Sequence, residues 1–440
     1  MRRLIAATVL AGGVIAAAPA AMPDVALPDG RLLHFDTVAE DLGGGAVATY
    51  GRSADGSRLR RFDSPAWHAG EVFAPGGRFR LDAGGLWQPV LPSDMPRFVE
   101  TSMAPPALRA PVAMPRVATP DGDGLFTVDL LLLYTGAFAG AFDASATAIA
   151  AIQDQVSQAQ AAFRTSGLPI RYRIAGIEPL PGSQAYSTPA FGQVAYVKQR
   201  RDAVHADLVA LFENGACSGQ ATPFDGSTPT ADDAAPSDVD AEHDAFAIVL
   251  ATPDCIASGG FLLAHELGHT LGGGHDIEFS GLQAVPNPLL GSGYWKEYAH
   301  GVRCGNAGAG GAFKFASIMA YGLPSSVTPT DVKGDFFSSP DFVLDGEACG
   351  SEGTPGLEPT RADNVRSIGM AVPYVAAYRD AGDGKDAGLA QGSGVFAPWV
   401  LAVLGLLRAL SVRARAARRP APCSPSASPP SSGRRRRAPG

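Results

Sequence analysis

Phe261-Leu262-Leu263-Ala264-His265-Glu266-Leu267-Gly268-His269-Thr270-Leu271-Gly272, followed by Gly273-Gly274-His275-Asp276, decides the reading of this 440-residue chain. The leading residues are apolar and helix-forming. His265 and His269 are four apart, so on a helix they lie one turn apart on the same face. Two imidazoles so placed can both reach one zinc ion at about 2.0–2.1 Å. Glu266 is one step around the helix, too far round for a third ligand but well placed for a water in the metal's open position. Gly272 can take the left-handed conformation that ends a helix. The chain then doubles back and presents His275 as a third ligand. Three neutral histidines leave the ion its full charge and one open site, which lowers a bound water's pKa from 15.7 toward about 7. Glu266 can take that water's proton as it attacks a carbonyl and pass it to a leaving amine.

Composition agrees with a folded, loop-rich chain. The sequence is 46% hydrophobic and 18% charged, which excludes disorder for most of its length. Its 53 Gly and 36 Pro argue against a helical bundle. With residues 1–20 and 381–440 set aside, the body carries 23 basic and 41 acidic side chains, a net of −18. An acidic body argues against nucleic acid as a partner.

Outward from the motif, apolar runs alternate with helical patterns. Thr127 to Tyr134 (TVDLLLLY) reads as a strand buried on both faces. Ala144 to Thr165 is helical, with Ile149, Ile152, Val156, Ala159 and Phe163 on one face, and Ser166-Gly167-Leu168-Pro169 ends it. Ile170 to Ile177 is a second strand, Asp202 to Phe212 reads as a second amphipathic helix, and Ala245 to Ala251 as another buried strand. The expectation is an α+β domain, a mixed sheet with helices packed on it, over residues 121–380. The polar loop 218–244 holds seven acidic residues, Asp225, Asp232, Asp233, Asp238, Asp240, Glu242 and Asp244. They lack the glycine-centred spacing of an EF-hand, so calcium stays unsupported and a solvated loop is the plainer reading. Residues 21–118 form a small β-rich unit, with candidate strands at Leu32 to Phe35, Ala46 to Tyr50, Phe79 to Leu81 and Leu86 to Val90. Proline-rich residues 92–120 read as its linker.

Both ends read as targeting segments. Met1-Arg2-Arg3, an apolar run and Ala18-Pro19-Ala20 make residues 1–20 a secretory signal peptide. Four cysteines in the body, Cys217, Cys255, Cys304 and Cys349, suit an exported domain with two disulfides, which three connectivities could satisfy. Cys217–Cys255 and Cys304–Cys349 are favoured, because each pair brackets a local loop. After a Gly-rich linker at 381–394, residues 395–411 are a short hydrophobic segment followed by arginines, and residues 412–440 are a basic tail. This pattern resembles a GlyGly-CTERM sorting signal, which implies transient membrane attachment and surface release.

The motif with its third His, and Ser317-Ile318-Met319-Ala320-Tyr321-Gly322 downstream, resembles the metzincin clan of zinc endopeptidases. Asp276 after the third His is similar to the reprolysin (adamalysin-like) branch, as are the stretches QAAFRTSGLPIRYRIAG, FKFASIMAYG, FFSSPDF and ADNVRS. The resemblance implies a metzincin-like catalytic domain with one catalytic Zn2+, held by His265, His269 and His275, with Glu266 as general base. It implies a Met-turn at Met319, which packs beneath the metal without binding it, and a turn-anchoring role for Asp276. Tyr321 matches a residue that in some metzincins binds zinc or stabilises the oxyanion and in reprolysins is usually absent; a catalytic and a structural role both stay open. Residues 21–120 stand where the family has a pro-region. No cysteine occurs there to silence the metal, so latency falls to a carboxylate such as Asp82 or Asp94, or to steric blockage. The implied protein is a monomeric, exported, zymogen-type peptidase of proteins or peptides. The alternative from another class is a zinc-containing surface adhesion module without catalysis.

Overall fold

A computed structural model of the chain describes residues 24–95, 116–182, 188–224, 236, 239–276, 296, 298–308, 314–320, 331–352 and 361–379. The segments 1–20 and 381–440, most of the 92–120 linker and Tyr321 lie outside these residues, as do Asp225, Asp232, Asp233 and Asp238. Among the described residues no helix is long and apolar enough to cross a membrane; the segment expected at 395–411 is not among them.

The N-terminal part begins with a short hairpin of β1 (Val25–Ala26) and β2 (Leu32–Leu33). Six strands follow in a meander, each pairing antiparallel with the next: β3 (Asp36–Gly43), β4 (Ala46–Arg52), β5 (Arg58–Asp63), β6 (His68–Ala74), β7 (Gly77–Leu81) and β8 (Trp87–Pro89). One group of side chains, Leu59, Val72 and Phe79, packs with Val25, Leu27 and Leu33 of the hairpin region. Ala46, Ala48 and Phe62 instead pack on a helix of the following region, against Ala150 and Ala161. Three of these strands, β3, β5 and β6, were not among the candidates. Their inward positions include Arg60 and Glu71, both buried, which hides the apolar alternation that marks a strand.

The region that follows holds a five-stranded sheet in the order β10-β9-β11-β13-β12, from β9 (Phe126–Tyr134), β10 (Ile170–Pro179), β11 (Leu208–Glu213), β12 (Ser218–Ala221) and β13 (Phe246–Leu250). Four strands run parallel, and β12 pairs antiparallel with β13 at one edge. β9, β11 and β13 are buried along nearly their whole length, which explains their unbroken apolar runs. The expected helix over 202–212 is a correction. The helix ends at Ala203, His205 turns in the left-handed region (φ 54°), and Leu208–Glu213 is a central strand. A six-residue apolar run does not by itself separate a buried strand from a helix.

Helices α1 (Gly136–Gly140) and α2 (Ser145–Thr165) follow β9; α3 (Thr188–Gln193) and α4 (Ala195–Ala203) precede β11; α5 (Pro253–Ala257) and α6 (Leu262–Thr270) follow β13. α2 is buried almost all round, including Gln153, Asp154, Ser157 and Gln160, because it lies between the meander and the five-stranded sheet. Its polar groups are matched by design of the neighbours. Gln160 donates to the Ile170 carbonyl (2.9 Å) and accepts from the Tyr172 N–H (2.8 Å), while Gln153 donates to the Leu42 and Gly43 carbonyls (3.1 and 2.9 Å). At the start of β11, Asp207 accepts from the N–H groups of Asp129 (2.9 Å) and Arg379 (3.0 Å), and burial pushes its carboxyl up to about 7.

The remaining described residues include a three-stranded sheet of β14 (Arg303–Cys304), β15 (Phe315–Ala316) and β16 (Val332–Lys333), a hairpin of β17 (Ser339–Leu344) and β18 (Glu347–Cys349), and the helix α7 (Asn364–Val375). Disulfides join Cys217 to Cys255 and Cys304 to Cys349. The first ties the start of edge strand β12 to α5, just ahead of the motif helix. The fold is α+β, a domain of sheets and packed helices preceded by a β-rich N-terminal region.

Candidate active site

α6 carries His265, Glu266 and His269, all buried. The helix ends as a glycine cap should. Gly272 stands at φ 86°, its N–H donates to the His269 carbonyl (2.9 Å), and the Gly273 N–H reaches back to the Gly268 carbonyl (2.7 Å). That turn brings His275 against the helix. The three Nε2 atoms lie 3.2, 3.2 and 2.9 Å apart.

These distances test whether a metal fits. The His265 Nδ1–H donates to the Ile318 carbonyl (2.8 Å), and the His269 Nδ1–H donates to the Gly273 carbonyl (3.0 Å). A carbonyl only accepts, so each Nδ1 carries the proton and each neutral ring turns an Nε2 lone pair inward. Lone pairs converging in a buried site repel one another unless a cation lies among them. Zinc–nitrogen bonds of 2.0–2.1 Å at tetrahedral angles put ligand atoms about 3.3 Å apart, close to the spacing here. Among the described residues this triad is the group able to hold a metal ion, and no carboxylate of residues 24–95 joins it.

Groups remote in sequence hold the triad. Asn364, at the start of α7, accepts from the Gly274 N–H (2.8 Å) and donates to the Gly274 carbonyl (2.9 Å). Ser367, one turn further, donates to the Gly272 carbonyl (2.7 Å). The His300 Nδ1–H donates to the His275 carbonyl (2.9 Å), so it supports the backbone of His275. Lys333 is buried, and its ammonium donates to the carbonyls of Ile318 (2.8 Å), Ser317 (3.3 Å) and Ala320. It thus shares the Ile318 carbonyl with His265. Sequence reasoning missed Asn364, Ser367, His300 and Lys333. Their one signal was that Asn364 and Ser367 fall in or beside the stretch ADNVRS.

Met319 is fully buried beneath the helix. A Cβ on Gly268 would meet its Sδ at 2.7 Å, so the glycine inside the motif gives the Met-turn room to close. Gly219 of edge strand β12 plays the same part above: a Cβ there would collide with the Glu266 carboxylate and lie 2.8 Å from its Cγ. The general-base candidate therefore fills the space left by a missing side chain. Asp276 is buried next to His275. Asp82 and Asp94, the carboxylates considered for latency, are engaged in their own turns. Asp82 accepts from the Gly84 and Leu86 N–H groups (2.9 and 2.8 Å), and Asp94 from the Leu91 N–H (2.8 Å).

A buried three-histidine centre on a short helix, backed by a Met-turn and flanked by an antiparallel edge strand, defines a metallopeptidase domain. Residues 125–323 match the model of Reprolysin_5, metallo-peptidase family M12. Family M12 peptidases are zinc-dependent and act on proteins or peptides. No curated protein matches the chain. Among solved structures, the chain is similar to one described as "Structure of a chaperone-substrate complex", at 17% identity and a TM-score of 0.39. That match covers 75% of this chain and 45% of the other, so the chain spans less than half of that relative's length. It is also similar to metalloproteinase-II from Bacteroides fragilis, at 12% identity and a TM-score of 0.33, covering 60% of this chain and 84% of the other.

Proposed function

We propose that the chain is an exported zinc endopeptidase that hydrolyses peptide bonds with Glu266 as its general base. The observation that carries the reading is the inward convergence of three Nε2 atoms, two of them on rings whose Nδ1–H groups are already spent on carbonyls. Zinc bound to His265, His269 and His275 supplies Lewis-acid chemistry, polarising a substrate carbonyl and making a water more acidic. Glu266, one position from His265 on the same helix, accepts that water's proton during attack and delivers it to the departing amine. The edge strand β12 leaves a row of backbone groups beside Glu266 on which an extended peptide can lie. Asn364, Ser367 and His300 keep the turn to His275 in register, so the ligand set survives substrate entry and product loss. Export is supported by the two disulfides, which persist in oxidising compartments, and by the signal-like residues 1–20. Release through the tail 395–411 belongs to the same proposal.

The test is to produce the full chain in an oxidising compartment, measure zinc per chain, and follow casein cleavage with and without a chelator. One zinc per chain and chelator-sensitive cleavage are expected. Glu266→Ala should keep the zinc and lose at least about 10²-fold in rate. Undiminished proteolysis in that variant would refute the assignment. A zinc-loaded wild-type chain that cleaves neither casein nor a peptide library would favour the adhesion-module reading.

A further inference from the structure

The resemblance gives the N-terminal meander the place of a pro-region, yet its most deeply buried charges point at the back of the proposed metal site. Arg78 of β7 is 1% exposed. One arm of its guanidinium donates to the Gly259 carbonyl (2.7 Å) and the other to the Lys333 carbonyl (3.1 Å), while Glu71 of β6 neutralises it. Gly259 lies two residues before Phe261, which caps the start of α6. Lys333 is the residue whose ammonium grips the Met-turn carbonyls, including the Ile318 carbonyl that orients His265. A single side chain of the meander thus spans both segments that set the first metal ligand.

Phe261 adds a second, independent observation. It is fully buried and sits in the left-handed region (φ 55°, ψ 32°), although it is not a glycine. Such a conformation is unfavourable for a residue with a Cβ and persists only where the surroundings enforce it. Two enforcers come from the meander. The Phe73 ring lies 6.1 Å from the Phe261 ring, and the Arg78 guanidinium stands 5.1 Å from the centre of each of those rings. Phe73 also packs toward Phe315 of β15, the strand beside β16 (6.4 Å).

The remaining contacts of the interface show how the meander is seated. Arg60 joins Glu71 (2.9 Å) and reaches into α2, to Ser157 (2.7 Å) and Asp154, all of them buried. Arg58 pairs with Asp335 (2.6 Å), two residues beyond Lys333. Removing the meander would bare Phe261 and Phe315 together with the carbonyls of Gly259 and Lys333, just where the motif helix begins. A segment that only plugged the cleft would have contacts on the substrate side of the triad; these lie behind α6 and under the Met-turn.

We propose that the N-terminal sheet is a standing component of the metal-site scaffold, kept after any cleavage of the 96–115 segment, with Arg78 as the positioning residue that links it to α6 and to Lys333. It supports the start of α6 in its left-handed entry and holds the Lys333 strand under the Met-turn. The metal-binding arm of the test rests on the triad reading above; the association arm does not.

A specific-protease site placed within 103–110 of the full chain allows the segment to be cut after folding. Size-exclusion chromatography should show residues up to the cut co-eluting with the remainder, and separating only in denaturant. An N-terminal piece that elutes alone, leaving a folded remainder with unchanged zinc affinity, would overturn the proposal. In the uncut chain, Arg78→Lys keeps a charge for Glu71 but cannot bridge two carbonyls with one ammonium. It should weaken zinc binding about tenfold and shift the visible absorption of the cobalt-substituted site. Arg164→Met breaks a different interface pair, Arg164 with Glu40 (2.9 Å), and should change neither. Wild-type affinity and an unshifted cobalt spectrum in Arg78→Lys would also overturn the proposal. A wild-type chain that takes up no zinc would instead refute the triad reading, and the co-elution result would still decide whether the sheet stays bound.

Discussion

The two sheets of this chain are built on opposite plans. In the meander every strand pairs with its neighbour in sequence, and its inward face mixes Ala46, Ala48 and Phe62 with buried Arg60, Glu71 and Arg78. In the catalytic sheet the order β10-β9-β11-β13-β12 needs crossovers, and its middle strands bury mostly apolar side chains, with Asp129 and Glu213 as charged exceptions. The contrast teaches where chemistry can be placed. The crossover sheet ends its parallel strands at one edge, and the chain leaving β13 runs through α5 into the motif helix, the position at which open parallel sheets tend to carry sites. The meander has no such edge; it offers a charged, form-fitting face to α2 and to the back of the site.

Substitutions can break or sharpen this division. Phe62→Ala removes a fully buried ring between the meander and α2 and should cost about 3–5 kcal/mol in chemical denaturation, with zinc per chain unchanged. Zinc lost from the folded fraction of that variant would erase the contrast between support and chemistry. Asn364→Ala lies on the catalytic side and deletes both bonds to Gly274. Its zinc affinity, read by competition with a chelating dye, should fall about 10–100-fold with little change in melting temperature. Equal zinc affinity would show that the glycine cap alone places His275.

Two smaller effects concern the strand ends remote from the metal. Burial raises the Asp207 carboxyl from 3.8 to about 7, so the folded chain holds a proton there that the unfolded chain releases at lower pH. The contribution is therefore favourable below about pH 4 and is lost progressively as pH rises toward 7. Urea midpoints at pH 5 and pH 8 should fall in that order, and Asp207→Asn should flatten the difference; an equally steep fall in the variant would assign the slope elsewhere. Arg171 pairs with Asp121 and Asp123 at a partly exposed position, and Arg171→Met should cost less than about 1 kcal/mol in the same assay.

Much of the catalytic half was legible from sequence. The two-His spacing, the glycine that ends the helix and the third His are local features, and unbroken apolar runs mark strands covered on both faces. Bracketing of nearby loops led to the same two cysteine pairs that the structure contains. The rest was hidden for identifiable physical reasons. LVALFE at 208–213 has no period long enough to separate strand from helix. RLRRFD at 58–63 reads as a solvated stretch, because its inward arginine answers to Glu71 and Asp154, whose partnership exists only after folding. Lys333 and Asn364 act through backbone carbonyls, and neither motif nor spacing announces a side chain that serves another segment's main chain.

The space around Glu266 has a consequence for how this protein can change. Its carboxylate occupies the room left by an absent Cβ at Gly219, on a strand that carries none of the motif. A saturation library across 215–224, selected for proteolysis, should therefore find its most intolerant position at a residue with no functional group at all. On the proposed function, change in this chain is constrained by the open space at Gly219 in β12 as well as by the histidines, and a survey of reactive side chains alone would overlook it.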